Sequence, residues 1–406
     1  MNIVSHNKSM ILNIIRMFSP ISRTEIARKI GLSITAVSKY TNLFIAEGLV
    51  EELGTQDSKG GRKATSLGLD NNYGCTLAID FGHTFLRFGI MDMRNSIIVK
   101  ETHKRKDLGE HQTGLPMLIR LAKSFLARSQ PECPLLAVCI APSSIIHSRT
   151  NKITFPNLNG WKNVDILSPL RENFSVPVFS DDSARMMALA ECTIAGNGRE
   201  RQLVFVNVGD GIGTGIVANG RPLRGTGGYA GEMAHIIVKE NGYPCDCGSS
   251  GCLEQYTSVF AMVRNARKAI RDGVNSKIKE YANGDVDSID STCIAKAYSD
   301  SDKLAIQLLS EACSYLSVGI ANVINILNPP ILVLGGGGMN LSKHMIDGIR
   351  HETLLRTLTA SFNDTDVRLS RFGDNSVLIG SSIYMLDKLF GFDELCEDNE
   401  FFIHKG

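Results

Sequence analysis

The sequence predicts an α/β protein in two parts: a small N-terminal winged helix-turn-helix and a larger, two-lobed body of mixed sheets. Three observations lead there. Residues 1–69 read as three short capped helices and a hairpin. β-Branched strands punctuated by glycine turns begin near residue 71 and recur near residue 203. Charge divides the chain at the same place. The 406 residues hold 43 Lys+Arg against 42 Asp+Glu, a net charge of +1, yet residues 1–69 carry nine cations and five acids, which is +4 and leaves −3 for the rest. A basic head on a mildly acidic body fits a nucleic-acid module joined to a different one.

In the head, Ile11, Ile14, Ile15 and Phe18 recur at helical spacing, and Ser19-Pro20 ends that helix. Ser22-Arg23-Thr24-Glu25 is a capping box for a second helix through Ile26 and Ile30. Gly31 suits a tight turn, and Ser33 caps a third helix with Val37, Tyr40, Thr41 and Phe44 inside, stopped by Gly48. Strands at 49–53 and 65–69 flank the Gly60-Gly61-Arg62-Lys63 turn. In such a module the third helix enters the major groove by its N-terminal half. Ser33, Thr35, Ser38 and Lys39 are therefore the groove candidates, joined by Arg23 at the start of the second helix. Arg62 and Lys63 at the wing tip suit the minor groove or its phosphates. A helical interaction domain without DNA is the plainer alternative, and any one of these side chains can touch phosphate instead of base.

A hydrophobic fraction of 43% excludes wholesale disorder. No apolar run has the length of a membrane span, the N-terminus lacks the pattern of a signal peptide, and scattered cysteines fit a reducing cytoplasm. Ten cysteines occur, three of them within eight residues. That cluster, Cys245, Cys247 and Cys252, together with His235 makes a tetrahedral zinc shell, with Gly248 and Gly251 letting the chain fold round the ion. Four protein ligands close the shell, so the zinc is expected to be structural. Free thiols in a loop are the alternative, and for His235 the alternative is an ordinary histidine that ligates nothing.

In the body, strands at 75–80, 85–91 and 96–100 surround the turn Asp80-Phe81-Gly82-His83-Thr84. A similar unit spans 203–208, Gly209-Asp210-Gly211-Ile212-Gly213, and 214–217, and glycines 335–338 follow a strand at 331–334. Strand, glycine turn, strand with an Asp at the turn is the phosphate-hairpin pattern of actin-like ATPase (ribonuclease H-like) folds, and its recurrence predicts two related lobes. Glu232 and Glu254 flank the metal candidates, where carboxylates suit sugar hydroxyls, or serve as partners of the histidine. Asp181-Asp182 follows a strand at 176–179 and precedes a helix at 184–191. An Asp there is placed to take a proton from a hydroxyl, or to cap the helix.

Together these residues resemble the ROK proteins (repressors, open reading frames, kinases), and within them repressors such as the N-acetylglucosamine and xylose regulators. The resemblance covers nearly the whole chain. It rests on His235, Cys245, Cys247, Cys252 and Glu254, on the stretch from Pro156 and Asn157 to Gly160 and Trp161, and on Gly60-Gly61-Arg62. It implies structural zinc on His235 and the three cysteines. It implies a sugar held by Asn157, Asp181, Asp182, Glu232, His235 and Glu254, with Asp182 where the kinases keep their base. It further implies homodimers or tetramers, and a chain divided into a DNA-binding head (1–70), an N-terminal lobe (71–196, joined by a returning C-terminal helix at about 375–392) and a C-terminal lobe with the metal site (197–374).

Departures from the family pattern argue against catalysis. The kinases have Asp-x-Gly-Gly-Thr-Lys where this chain has His83 and Phe85, and Gly-Thr-Gly where it has Gly209-Asp210-Gly211. A carboxylate about 4 Å from a phosphate oxygen is repelled by about 4 kcal/mol at an effective dielectric of 20. The usual Asn-Asp-x-Asn of the sugar loop reads Asp181-Asp182-Ser183-Ala184. The expectation is a cytoplasmic, non-enzymatic repressor of carbohydrate genes that binds double-stranded operator DNA and is relieved by a sugar or sugar-phosphate effector. A DNA-tethered sugar kinase and a repressor controlled by a protein partner are the rivals. No association with a membrane is expected.

Overall fold

The computed structural model describes residues 6–55, 65–147, 150–154, 161–194, 202–342, 345–392 and 395. The head comprises α1 (His6–Phe18), β1 (Ile21–Ser22), α2 (Arg23–Ile30), α3 (Ile34–Ala46), β2 (Val50–Thr55) and β3 (Thr65–Leu69). Its local chemistry is the one the sequence encodes. The Ser22 side chain accepts from Glu25 N–H, and the Glu25 carboxylate accepts from Ser22 N–H, closing the capping box. Gly31 turns the chain in the left-handed region, and the Ser33 hydroxyl accepts from Ala36 N–H to start α3. β1 is an addition: Ile21 and Ser22 pair with β3, so the wing is a three-stranded sheet.

Lobe 1 is a five-stranded sheet of β4 (Cys75–Phe81), β5 (Phe85–Met91), β6 (Ile97–Lys104), β7 (Leu135–Pro142) and β8 (Val178–Ser180), with α4 (His111–Ser129) and α5 (Leu167–Asn173) on its outer face. β6 runs four residues past its expected end, because its outward positions are exposed and polar and carry no apolar signal. α6 (Ser183–Ile194) then crosses to lobe 2, whose sheet is β9 (Gln202–Val208), β10 (Ile212–Ala218), β11 (Arg221–Pro222), β12 (Ile331–Gly335) and β13 (Asp366–Leu369). The two sheets have the same topology. In strand order they read β6-β5-β4-β7-β8 and β11-β10-β9-β12-β13, with the first three antiparallel and the last two parallel. The recurring hairpin in the sequence is thus a duplicated unit.

Lobe 2 carries a helical layer that periodicity alone does not delimit: α7 (Glu254–Thr257), α8 (Val259–Arg271), α9 (Lys277–Tyr281), α10 (Ser291–Ser299) and α11 (Lys303–Leu327), with α12 (Met345–Leu354) and α13 (Thr359–Asn363) between β12 and β13. Among the described residues α11 is the one helix long and apolar enough to cross a membrane, which no single apolar run suggested. It lies in the lobe 2 core, where Leu304, Leu308, Leu316, Ile320 and Ile324 are buried against α8, α10, β9 and β12.

α14 (Ser376–Leu389) returns to lobe 1 and packs on α6 and β4. A Cβ on Gly380 would lie 1.8 Å from the Met186 carbonyl, so only glycine permits this crossing. α6 is sandwiched between the lobes, with Met186 and Leu189 against the lobe 1 sheet and Ala188 and Cys192 against the lobe 2 sheet. The far end of α14 meets the head: Ile11, Ile14 and Ile15 share a core with Leu386 and Phe390.

Candidate functional site

The two hairpin turns face each other across a cleft of about 660 Å³ between the lobes. Asp80, at the end of β4, pairs with Arg87 of β5 at 2.9 Å, and Arg87 also reaches Asp374 at 3.6 Å. Burial pushes the Asp80 carboxyl up to about 6 although Arg87 opposes this. The tips of the hairpins touch: the Thr84 hydroxyl of lobe 1 donates to the Asp210 carboxylate of lobe 2. Glu254 braces the same tip, accepting from Ile212 N–H at 3.0 Å through one oxygen.

The remaining cleft carboxylates gather around the start of α6. Asp182 caps that helix, accepting from Ala184 N–H at 2.8 Å and Arg185 N–H at 3.3 Å, and it lines the cleft. Burial raises it to about 6, with Arg185 opposing and Asp181 reinforcing the shift. Glu232 is pushed up to about 7, first by burial and then by the charge of Asp182. Glu254 is raised by burial, against the effect of the Ile212 N–H.

Asp181, a sugar candidate by resemblance, is buried, does not line the cleft, and is bound by two arginines. Arg185 Nη1 lies 2.8 Å from one oxygen, and Arg224 Nε and Nη2 lie 2.8 and 2.6 Å from the other. The first oxygen also accepts from Asp182 N–H at 2.8 Å, so the carboxylate is turned to the guanidinium groups and the backbone and does not line the cleft. Because Arg224 follows β11 in lobe 2, Asp181 braces one lobe against the other.

Beside the cleft, His235, Cys245, Cys247 and Cys252 converge. Their four candidate ligand atoms all lie within 4.8 Å of one another. Cys245 Sγ is 3.6 Å from His235 Nδ1, and Cys247 Sγ is 3.6 Å from Cys252 Sγ. Sulfur and nitrogen at about 2.3 and 2.0 Å from a tetrahedral ion are separated by about 3.5–3.8 Å, whereas a disulfide needs about 2.05 Å. The donor set therefore fits a metal ion. Gly251 closes the loop with φ +78°, where a Cβ would meet the Lys239 carbonyl at 1.8 Å. The other imidazole nitrogen of His235 faces Glu232 at 3.9 Å, so one ring connects the cluster to the cleft.

On the head, α3 presents Ile34, Thr35, Lys39 and Asn42 to solvent. Ser33 is exposed with its oxygen engaged as the cap, and Ser38 is half-buried. Arg23 is held within the head by Thr41 at 3.0 Å, Asn42 at 3.2 Å and Glu52 at 3.1 Å.

Comparison with known proteins gives this architecture a family. The model of the ROK family matches residues 76–388, and that of a winged helix-turn-helix DNA-binding domain matches residues 5–51. The chain belongs to the ROK family. Among similar ROK proteins, the xylose repressor of Caldicellulosiruptor bescii is 28% identical over 96% of this chain and 97% of its own length. The DNA-binding transcriptional dual regulator NagC of Escherichia coli is 26% identical over 84% of this chain and 83% of its own. In fold, the chain resembles a ROK family transcriptional regulator homologous to the Escherichia coli MLC protein, with a TM-score of 0.79, 24% identity and coverage of 97% and 98%. It also resembles a ROK glucokinase from Streptomyces griseus, solved with glucose and AMPPNP, with a TM-score of 0.67, 22% identity and coverage of 77% and 99%. The fold is thus a winged helix-turn-helix followed by a body of the ROK sugar-kinase type.

Of the residues assigned to this ROK protein's sites, Asp182, Glu232, His235 and Glu254 meet on the cleft wall, and the four metal candidates meet beside it. Asn157, Arg62 and Lys63 lie outside the described residues. Sequence reasoning missed Arg87, paired with Asp80 by hairpin register, Arg185, paired with Asp181 four residues before it, and Arg224, brought to Asp181 by lobe packing. Ile34, at the start of α3, is an apolar side chain left 53% exposed.

Proposed function

We propose that the protein is a DNA-binding transcription repressor of carbohydrate genes, relieved when a sugar or sugar phosphate occupies the interlobe cleft. One observation carries this reading: a winged helix-turn-helix is packed onto a sugar-kinase-type body whose two nucleotide hairpins are joined to each other by Thr84 and Asp210. The position that would face nucleotide phosphates holds a carboxylate bonded to the opposite lobe. The body therefore binds without phosphorylating, and Asp182 acts as a helix cap and a hydroxyl acceptor, not as a base. The names of the xylose and N-acetylglucosamine repressors among its relatives support the same function.

The effector acts only through its different affinity for the two states of the protein. Closing the lobes around a sugar moves α6 and α14, and α14 bears on the head. Two heads of a homodimer or tetramer would then be respaced relative to the half-sites of a roughly palindromic operator. Thr35 and Lys39 of α3 are the groove contacts that the exposed face favours, with Arg62 and Lys63 at the wing; Ser33 and Arg23 act chiefly by shaping the head. His235, Cys245, Cys247 and Cys252 hold structural zinc, which fixes Glu232 and Glu254 beside the sugar. Three thiolates leave that ion no net positive charge to offer the cleft. The protein works in the cytoplasm, where its DNA is.

Selection of genomic fragments by the purified protein, with and without candidate sugars, tests the reading. The expected result is enrichment of a palindromic site near sugar-catabolic genes and its loss with one sugar. Indifference to every duplex would overturn the DNA-binding half. Sugar-dependent ATP turnover above that of Asp182→Asn would overturn the non-catalytic half.

A further inference from the structure

Resting on that effector reading, we propose that the cleft selects an uncharged, unphosphorylated sugar and rejects the phosphate ester of the same sugar.

The wall is made of acceptors. Asp80, Asp182, Asp210, Glu232, Glu254 and Asp374 all line the cleft. Carboxylates accept from hydroxyl donors and repel phosphate oxygens. Among the described lining residues the guanidinium groups are Arg87 and Arg185, and no lysine lines the wall. Both arginines are matched inside the protein. Arg87 is held by Asp80 and Asp374. Arg185 gives one terminal nitrogen to Asp181 and the other, at 2.6 Å, to the Gly228 carbonyl. Two of the five Arg185 N–H groups are spent in this way, on acceptors that fix the guanidinium in place, and its Nε, buried with no hydrogen-bond partner, suits a hydroxyl or ring oxygen.

The backbone tells the same way. Glycine hairpins bind phosphate through free N–H groups. Here the Gly82 N–H is given to the Phe85 carbonyl at 3.0 Å, the Gly209 N–H to the Gly211 carbonyl at 2.9 Å, and the Ile212 N–H to Glu254. The Thr84 hydroxyl is given to Asp210. At the two hairpin tips, the Gly82, Gly209 and Ile212 N–H groups and the Thr84 hydroxyl are thus turned onto the protein's own oxygens.

Isothermal titration of the full chain against a panel of neutral sugars paired with their phosphate monoesters tests this. The expected result is a neutral sugar that binds about 100-fold or more tightly than its ester at about 0.05 M salt, with the gap narrowing at about 0.5 M as charges are screened. Asp210→Asn should narrow the gap by about tenfold. An ester that binds as well as or better than its parent sugar overturns the proposal and leaves the effector reading standing. A gap that neither salt nor Asp210→Asn changes also overturns it, by assigning selection to shape. Absence of binding by every sugar and every ester overturns the effector reading itself, and the proposal with it.

Discussion

Asp181 and Asp182 are neighbours in sequence and differ in every other respect. Asp181 is clamped by Arg185 and Arg224, while Asp182 caps α6 at the edge of the cleft. Two adjacent acids before a helix look alike in a sequence, because nothing local shows which one meets an arginine from another lobe. Their difference is testable through pH. Folded Asp182 keeps its proton up to about pH 6, against 3.8 for the ordinary side chain. Between those values the folded chain binds more protons than the unfolded one, so stability falls as pH rises through the window. Asn caps a helix as well as Asp does. Asp182→Asn should therefore raise the melting temperature near pH 8, by about 1 kcal/mol of stability, and have little effect near pH 4. Equal shifts in melts at both pH values would refute the buried-charge account. At the metal cluster, Cys247→Ser should release stoichiometric zinc and lower the melting temperature of the body, as measured by metal analysis and calorimetry. On α3, Lys39→Ala should weaken operator binding and reduce the salt slope by about one. Ile34→Ala should instead alter base preference at one position, through a lost contact with a thymine methyl, and leave the slope intact. Binding titrations over a salt series separate the two.

At the scale of elements, legibility follows how local the determinants are. α2 is written in four residues, since Ser22 and Glu25 satisfy each other's backbone N–H groups within one turn. β4, β5, β9 and β10 are legible because glycine turns separate β-branched runs. β1 is not legible: two residues form a strand only because β3 lies beside them. The metal loop was legible because its ligands are close in sequence, and the cleft only in part, because its wall is assembled from β5 of one lobe, the β9–β10 turn of the other and α6 between them. α14 was legible as a helix, but its neighbours were not. Near its end Asp387 pairs with Arg16 of α1, both side chains almost wholly buried, and Asn13 donates to the Phe390 carbonyl at 3.0 Å. Removing one partner of a buried pair typically costs about 3–5 kcal/mol. Asp387→Ala should loosen the head from the body, seen as earlier proteolysis between head and body and a lower denaturation midpoint.

The whole molecule joins these pieces into one train. Asp374 and Val377 line the cleft at the start of α14, and Leu386 and Phe390 pack on α1 at its end. On the proposed effector mechanism, a helix held at both ends would carry a shift in lobe angle to the head. Replacing the Arg16 and Asp387 pair together by Met and Leu keeps apolar packing without an orphaned charge. In that double variant, operator affinity and sugar affinity should each stay within a few fold of the parent. The ratio of operator affinities without and with sugar should fall toward one, from the 5–150-fold range usual for coupled sites. Fluorescence anisotropy on a labelled operator measures this ratio directly. An undiminished ratio would place the coupling elsewhere.

Spacing along the chain determined what depends on neighbours in sequence: the caps of the head, the doubled hairpin, and the clustering of three thiols. Tertiary structure alone decided which charges pair between the lobes. Arg224 reached Asp181 from the other lobe, Asp210 reached across to Thr84, and α14 joined cleft to head. Helix caps and tight turns close within a few residues, so composition and order encode them. An ion pair between lobes depends on how two sheets twist and pack, and that geometry exists only once the chain has folded.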